Sequence, residues 1–461
     1  MLSGIDWLRI YLRRMKKARP DRSLHPVIFL FITALGIGRA VTSPAQENDS
    51  LAVKRCATMK AYHFGLKRLP FAADPLQAVN EKITSHIENK RKLRMADSDV
   101  IRIPVVVHVI HDRESGSIGG RGNPNISEEQ IRSQIRILNE DYRRVQGTPG
   151  YNENPVGVDT EIEFFLAEFT PDGAQSDGIT RNYYKAKTQF NPYTDAATLA
   201  GIVSWPADQY LNIWVCTLSG NYLGVAQFPS LSGVPGLDNA DADKALTDGV
   251  IIDYRSFGDV GALENANYNQ GRTTTHEVGH WLGLLHIWGD ARCGDDYCAD
   301  TPWAETSNST SCNEVFSSCR GTATRNMIEN YMDYSPDRCM NVFTFNQMER
   351  MHAVLELSPR RAALVENSRK ARLEESAGLL VSVYPNPVAD GQLKAEIRYK
   401  GYQDINLAII DMNGRKVGSS SYRKVWSRIF TEYVGNLSRG IYLLVVTNEN
   451  GEKASRRFIV N

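Results

Sequence analysis

The sequence predicts an α+β protein with a small all-β sandwich at its carboxyl end, and two patterns lead to this prediction. Up to about residue 372, apolar runs typical of strands are interspersed with amphipathic helical patterns, which indicates a sheet covered by helices. From Leu379 onward, short alternating runs are separated by turn-forming pairs such as Asn413–Gly414 and Asn450–Gly451. Turns at this spacing, without a long helical pattern, are typical of a sandwich of about 80 residues.

Length, charge and composition limit the classes of protein to consider. The 461 residues allow about two to four domains. Lysine plus arginine and aspartate plus glutamate each number 53, so the formal net charge is zero. This balance argues against a nucleic-acid-binding protein dominated by basic charge. Hydrophobic residues make up 42% and aromatic residues 9%, which is too much for a mostly disordered chain.

The first 45 residues have the composition of an export signal. Basic side chains precede an apolar run from Val27 to Gly38, and small residues follow around Ala40, Ser43 and Ala45. An apolar run of 12 residues is too short to span a bilayer as a helix. The alternative, a buried core helix, is disfavoured because no folded domain precedes it. We therefore expect residues 1–45 to be a signal peptide and the mature protein to be exported without a transmembrane helix.

Residues 46–95 are polar and are expected to form a propeptide. Their end, Glu81–Arg94, has a basic helical pattern. Four side chains there would be open to trypsin-like cleavage: Lys90, Arg91, Lys92 and Arg94.

Residues 96–372 are expected to form the main α+β domain. Ile101–Ile110 is a buried-strand run, and Ser127–Arg143 predicts a helix that begins with a capping box of Ser127 and Gln130. Four further strands are expected, at Glu161–Phe169, Leu211–Thr217, Leu223–Phe228 and Gly249–Tyr254. The charged stretch Lys370–Glu375 predicts a linker to the sandwich, which occupies residues 377–461.

One stretch carries the residues of a catalytic metal site. His276 and His280 are four residues apart, so on a helix both rings can reach one metal ion. Glu277 lies beside them, where it can reach a metal-bound water. Gly283 permits a turn that returns His286 as a third ligand. Three histidines leave one position of a tetrahedral zinc open, as catalysis requires.

These residues resemble the H-E-x-x-H-x-x-G-x-x-H motif of the metzincin zinc metallopeptidases. Asn330–Tyr334 is similar to the Met-turn of that family. The resemblance implies a two-lobed catalytic domain, with a twisted mixed sheet and an active-site helix in one lobe and the Met-turn in the other. It also implies that Met332 forms an apolar base under the histidines and that Tyr334 can bind zinc or stabilise the oxyanion.

Within the metzincins the sequence most resembles the pappalysins of the ulilysin and mirolysin type. The segments that carry this resemblance are Leu211–Val215, Asp300–Pro302 and Cys339–Thr344. Arg55–Thr58 (Arg-Cys-Ala-Thr) is similar to the Arg-Cys-Gly-Thr segment of pappalysin propeptides. This implies a cysteine switch, in which the Cys56 thiolate takes the open zinc position and keeps the zymogen latent. The alternative is an incidental free thiol.

Six of the seven cysteines remain, and 15 pairings are open from the sequence. The pappalysin resemblance implies disulfides between Cys293 and Cys319 and between Cys312 and Cys339. This would leave Cys216 with Cys298.

The loop after His286 is acidic, and this raises the question of a second metal. Between His286 and Met340 the sequence contains nine acidic residues but only four arginines. Such a loop suits Ca²⁺, which related pappalysins bind there, although a solvated acidic loop is an equal alternative. The candidate calcium ligands are Asp290, Asp295, Asp296 and Asp300.

Substrate preference depends on the residues that follow the Met-turn. Ulilysin-like enzymes meet a basic P1′ side chain with an aspartate just before the cysteine that follows the Met-turn. Arg338 occupies that place here, with Asp337 one residue earlier. Arg338 would repel a basic side chain unless the loop places Asp337 in the pocket.

The carboxyl-terminal sandwich resembles the sorting domain of the type IX secretion system. Val383–Pro387, Asp411–Gly414, Leu437–Tyr442 and Lys453–Val460 carry this resemblance. It implies a Bacteroidetes-type source, recognition by the type IX machinery, and release or attachment at the cell surface. The alternative is an adhesive or carbohydrate-binding sandwich.

The protein is therefore expected to be a secreted zinc endopeptidase that is made as a zymogen. It would hydrolyse peptide bonds of protein or peptide substrates through a zinc-bound water, with Glu277 as general base. A surface adhesion protein on an inactive metzincin scaffold is disfavoured because Glu277 and all three histidines are intact. A zinc hydrolase acting on other substrates is excluded only by the resemblance.

Overall fold

The computed structural model describes residues 53–66, 75–93, 100–231, 242–309, 311–375, 379–388, 390–399, 403–425 and 428–461. The expected signal peptide, residues 1–45, and the basic residue Arg94 lie outside these ranges. Within the described ranges, no helix combines the length and the apolar character needed to cross a bilayer.

A seven-stranded mixed sheet forms the centre of the main domain, as predicted. The strand order is β1-β6-β7-β5-β2-β3, with β4 also paired to β2, and every pairing is parallel except that of β6 with β7. The seven strands are β1 (Lys54–Cys56), β2 (Ile101–His111), β3 (Ile162–Leu166), β4 (Ile179–Tyr183), β5 (Leu211–Cys216), β6 (Tyr222–Ala226) and β7 (Gly249–Asp253). The central strands are apolar on both faces because helices and loops cover both sides of the sheet.

The helices pack around this sheet. The described ranges contain α1 (Thr58–Leu66), α2 (Pro75–Leu93), α3 (Glu128–Tyr142), α4 (Ala196–Ile202), α5 (Ala242–Leu246), α6 (Arg272–Trp281), α7 (Phe345–Leu357) and α8 (Pro359–Glu375). Ser127 caps α3 by accepting a hydrogen bond from the Gln130 amide. The Gln130 side chain does not complete the predicted capping box, because it donates instead to the carbonyl groups of Tyr254 and Phe257.

The stretch predicted as a linker, Lys370–Glu375, is helical and forms the last part of α8. This stretch contains strong helix formers and neither glycine nor proline, so nothing local ends the helix earlier.

The carboxyl-terminal part is a sandwich of two antiparallel sheets, as predicted. One sheet has the order β10-β11-β14 and the other β13-β12-β15-β16. A short hairpin, β8 (Phe316–Ser317) with β9 (Thr324–Arg325), precedes them in the chain. The sandwich strands are β10 (Leu380–Tyr384), β11 (Gln392–Arg398), β12 (Gln403–Asp411), β13 (Lys416–Val425), β14 (Arg428–Tyr433), β15 (Gly440–Asn448) and β16 (Lys453–Val460). The sandwich has an apolar core separate from that of the main domain.

The cysteines pair only in part as expected. Disulfides join Cys293 to Cys319 and Cys312 to Cys339. The expected Cys216–Cys298 bridge is absent, and both are buried free thiols. Cys216 lies on β5 and packs in the apolar cluster that includes Ala57 and Phe190, whereas Cys298 lies in the loop near Asp296 and Arg350.

Candidate metal centre

Helix α6 and the turn after it position the three histidines. The helix carries His276 and His280 one turn apart and ends at Trp281. The chain then turns at Gly283, whose φ of 86° lies in the left-handed region that favours glycine. The side chain of Val354 lies 2.6 Å from where a Cβ on Gly283 would lie. A side chain at this position would be strained and crowded, so glycine is required for the turn that returns His286.

The three imidazole rings converge through their Nε2 atoms. His280 Nε2 lies 3.1 Å from Nε2 of both His276 and His286. His276 Nδ1 lies 2.7 Å from the Tyr331 carbonyl oxygen, and His280 Nδ1 lies 2.8 Å from that of Leu284. His286 Nδ1 lies 2.5 Å from Asp290 Oδ1. Because each Nδ1 donates, each Nε2 is left with a lone pair that points to the shared centre.

The surroundings favour the neutral rings that a metal ion requires. All three histidines are fully buried. Burial lowers the pKa of His276 and His280 well below the usual value, and the neighbouring histidines lower it further. Three neutral imidazoles around one point suit zinc, so the residues present fit the metal that the motif implies.

Cys56 completes this cluster with a fourth ligand atom. Strand β1 runs parallel to β6, with Cys56 opposite Gly224, and the Ala57 amide donates to the Gly224 carbonyl oxygen at 2.9 Å. The Cys56 sulfur and the histidine nitrogens all lie within 4.8 Å of one another, and within the described ranges this is the one such group of potential metal ligands. Burial and the Glu277 carboxylate raise the pKa of the Cys56 thiol. A cation among the histidines would favour the thiolate.

Glu277 lies next to these ligands and is also covered by the amino-terminal segment. The Thr58 hydroxyl donates to Glu277 Oε2 at 2.6 Å and accepts from the Ala226 amide at 2.8 Å. Burial raises the pKa of Glu277 to about 7, although hydrogen bonds from Thr58 and Cys56 partly oppose this. The carboxylate is therefore shielded from solvent while Arg55–Thr58 is in place.

The Met-turn residues lie under and beside the histidines. Met332 is fully buried, and its sulfur is 2.5 Å from where a Cβ on Gly279 would lie, so glycine allows the close approach of this side chain to α6. The Tyr334 ring is 4.9 Å from the His286 ring, and Trp288 stacks on His286 at 4.3 Å. Burial raises the pKa of Tyr334, which keeps the phenol protonated and able to donate.

The side chain of Arg55, one residue before Cys56, fills a pocket that has a carboxylate at its inner end. Its guanidinium lies 2.9 Å from Asp337 Oδ1 and 3.0 Å from the Ser335 carbonyl oxygen, and it stands 4.8 Å from the centre of the Tyr268 ring. The Asp337 carboxylate also accepts from the Gln270 amide at 2.9 Å. The pocket therefore recognises a guanidinium through an ion pair, hydrogen bonds and an aromatic face.

Arg338 does not line this pocket and Asp337 does, which is the alternative that the sequence left open beside repulsion by Arg338. It is exposed and donates to the Asn267 side chain at 2.9 Å. The short 3-10 turn Asp337–Cys339 places consecutive side chains in different directions, which brings Asp337 inward and leaves Arg338 outside.

The four aspartates expected to bind calcium are not brought together. Asp290 accepts from His286, and Asp300 accepts from the Thr344 hydroxyl and the Asn346 amide at the start of α7. Asp296 accepts from Thr301, and Asp295 accepts from the Tyr297 amide. Each carboxylate serves a separate local contact, and among the described residues the four are not gathered into one group of metal-ligating side chains, so calcium binding stays a prediction.

Several site residues had no predicted role. Arg55 and Thr58 flank Cys56 in the motif that was recognised, so their proximity to the site was available from the sequence. Asp290 was expected only as a calcium ligand, and its contact with His286 was not predicted. Trp288 and Tyr268 carried no local signal that would have identified them.

The basic end of α2 is helical, and two of the four residues expected to be cleaved there, Lys90 and Arg91, are held in ion pairs. Lys92 is exposed and Arg94 lies outside the described residues, so cleavage there stays a prediction. Lys90 Nζ and His86 Nε2 each lie 2.6 Å from the Glu356 carboxylate, and Arg91 pairs with Glu349. A protease needs an extended peptide, so cleavage at these residues requires α2 to open first.

Two families match successive parts of the chain. A peptidase family described as pregnancy-associated plasma protein-A matches residues 202–356. A family described as the secretion system C-terminal sorting domain matches residues 382–461.

Individual relatives extend these matches. An extracellular metalloprotease of Arthroderma benhamiae is 30% identical over 285 residues, which are 60% of this chain and 87% of the fungal protein. The structure of a promirolysin mutant of Tannerella forsythia is 34% identical, with a TM-score of 0.54, and covers 69% of this chain and 99% of that one. Mature mirolysin from the same bacterium, in complex with a cleaved peptide, is 37% identical, with a TM-score of 0.51, and covers 59% and 98%. Together with the histidine cluster, these matches establish that the chain belongs to the pappalysin family of metalloendopeptidases and carries a sorting domain for type IX export.

Proposed function

We propose that the chain is made as a latent zinc endopeptidase, with a signal peptide at residues 1–45, a propeptide at 46–95, a catalytic domain at 96–372 and a sorting domain at 377–461. The observation that carries this proposal is the cluster of Cys56 and three histidines, because an inhibitory ligand and a catalytic metal site meet at one point. The match to promirolysin covers 69% of the chain and that to the mature enzyme 59%, and this difference is close to the length of the proposed propeptide.

In the mature enzyme the three histidines hold zinc and Glu277 moves the proton. When bound, zinc lowers the pKa of water at its open position and polarises the carbonyl group of the peptide bond. Glu277 accepts the proton of the attacking water and then passes it to the leaving amine. The Tyr334 phenol donates a hydrogen bond to the oxygen that becomes negatively charged.

Latency in this proposal depends on three contacts of one short segment. Cys56 takes the open ligand position, Thr58 covers the Glu277 carboxylate and Arg55 fills the Asp337 pocket. A tethered ligand has a high local concentration, so the segment stays in place until the chain is cut.

The Arg55 pocket also supports a substrate preference. Arg55 is adjacent to the residue at the metal centre, and Asp337 binds its guanidinium. We therefore propose that a substrate places an arginine or lysine there, beside the bond to be cut. Cleavage-site profiling by mass spectrometry should find basic residues enriched on one side of the cut, and a profile without that enrichment would contradict the preference.

The catalytic proposal is tested with Glu277→Ala in the mature enzyme. The variant should keep about one zinc per chain, measured by mass spectrometry of the metal, because the histidines remain. Its hydrolysis of casein should fall by about 10²- to 10⁴-fold, because the group that moves the proton is lost. Glu264→Ala, at an exposed carboxylate, serves as the control and should keep normal activity. A chelator should abolish wild-type activity and added zinc should restore it; near-normal turnover by Glu277→Ala would overturn the assignment.

A further inference from the structure

Helix α2 covers one face of α7, and the covered face has a defined chemistry. Val79 and Ile83 of α2 are buried in a cluster with Leu231, Ala353 and Val354. We call the face formed by Leu231, Glu349, Ala353, Val354 and Glu356 the α7 surface. Its centre is apolar and its rim is acidic.

The rim is complementary to basic side chains one helical turn apart. His86 and Lys90 both reach the Glu356 carboxylate, and Arg91 pairs with Glu349. These three basic residues lie on the side of α2 that carries Ile83 and Ile87 to the apolar centre. The occupant of the α7 surface is therefore a basic amphipathic helix.

An apolar strip connects the α7 surface with the metal centre. The Phe228 ring is 5.5 Å from the His280 ring and 5.7 Å from that of Tyr62 in α1. Tyr62 also packs against the cluster of the α7 surface. A chain that starts at the metal centre can therefore follow Phe228 to the α7 surface, and the described residues 56–66 and 75–93 occupy the two ends of this path.

Removal of the propeptide would uncover this strip and the α7 surface together. We propose that the mature enzyme uses the α7 surface as a docking site for a basic amphipathic helix in its protein substrates, at a distance from the bond that is cut. This inference rests on the proposed removal of residues 46–95. The surface binds such a helix through Glu349, Glu356 and the apolar centre, as it binds α2 in the latent chain.

The test uses the mature enzyme and three substrates that share one fluorogenic cleavage sequence. The first has no extension, the second is extended by the sequence of α2, and the third is extended by the same helix with Lys90→Glu and Arg91→Glu. KM, measured at the shared cleavage site, should be about fivefold lower for the second substrate than for the first or third. Glu356→Lys in the enzyme should remove this difference, whereas Glu366→Lys, an exposed control on α8, should preserve it.

The arms of this experiment separate the inference from the proposed function. Cleavage of the unextended substrate reports the peptidase itself, and its absence would count against the proposed function. Normal cleavage with equal KM values for all three substrates would overturn the docking site alone. An advantage of the second substrate that survives Glu356→Lys would also overturn it, because the acidic rim would then not be the contact.

Discussion

The three ligand histidines are oriented by different kinds of atom. His276 and His280 donate to backbone carbonyl groups, whereas His286 donates to the Asp290 side chain. A backbone carbonyl cannot be removed by substitution, so Asp290 is the orienting group that a point mutation can remove. A carboxylate in this position also makes the ring a stronger base and hence a better ligand.

We therefore predict that Asp290→Ala weakens zinc binding in the mature enzyme by about 10- to 100-fold. Competition with a chromophoric chelator would measure this, independently of turnover. Asp295→Ala removes a neighbouring carboxylate that accepts only from a local amide, and it should leave zinc affinity unchanged. Equal affinity in both variants would show that Asp290 does not support the ligand.

The residues that the sequence located are those related by local spacing. His276, Glu277 and His280 share one helix, so their geometry follows from the helical repeat. The partners of the aspartates could not be read in this way, because a count of acidic residues does not distinguish a metal ligand from the hydrogen bonds that Asp300 accepts at the start of α7. Likewise, Asp337 rather than Arg338 lies in the pocket because of a turn that the sequence did not reveal.

At the scale of the element, a three-residue strand brings the amino-terminal segment to the metal centre. Strand β1 adds to the edge of the sheet beside β6, and its register places Cys56 opposite Gly224. Backbone hydrogen bonds hold this register, so the side chains of Arg55, Cys56 and Thr58 reach their separate partners together.

The contacts of β1 lead to a prediction about maturation of the precursor. Cys56→Ala should leave the fold intact, because the backbone pairing and the Arg55 ion pair remain, but the precursor should mature faster. The measurement is a time course of precursor conversion on gels with a matched assay of activity. Cys298→Ala, which removes another buried free thiol, is the control and should mature at the wild-type rate. Equal rates for Cys56→Ala and wild type would rule out the cysteine switch.

Five of the seven strands of the central sheet followed from the sequence pattern, and the two exceptions have physical reasons. Helices α1, α4, α5, α7 and α8 were not predicted. Strand β4 (Ile-Thr-Arg-Asn-Tyr) was missed because it is only partly buried and lacks an apolar run. Strand β1 was missed because its three residues are ordered by pairing with β6 rather than by their own pattern. Both strands depend on distant partners.

At the scale of the whole molecule, the largest apolar core of the main domain and the apolar core of the sandwich are separate among the residues that the structure describes. The first contains residues of the sheet, α3, α6 and α7, and the second contains only residues of the sandwich. Separate cores allow each part to fold without the other, which agrees with a sorting function for the sandwich.

Deletion of residues 379–461 should therefore leave a folded, active catalytic domain that stays in the periplasm. Cell fractionation with casein zymography would locate it, and the full-length chain provides the control for export. Loss of the catalytic fold on deletion would instead show that the sandwich stabilises the main domain.

The disulfide between Cys312 and Cys339 bears on when the Asp337 pocket can form. Cys339 ends the short turn that brings Asp337 inward, so this bridge supports the base of the pocket. Thiols remain reduced in the cytoplasm and oxidise in the periplasm. The bridge is therefore expected to form only after the precursor has crossed the inner membrane, so the proposed recognition of a basic side chain by Asp337 would be complete only outside the cytoplasm.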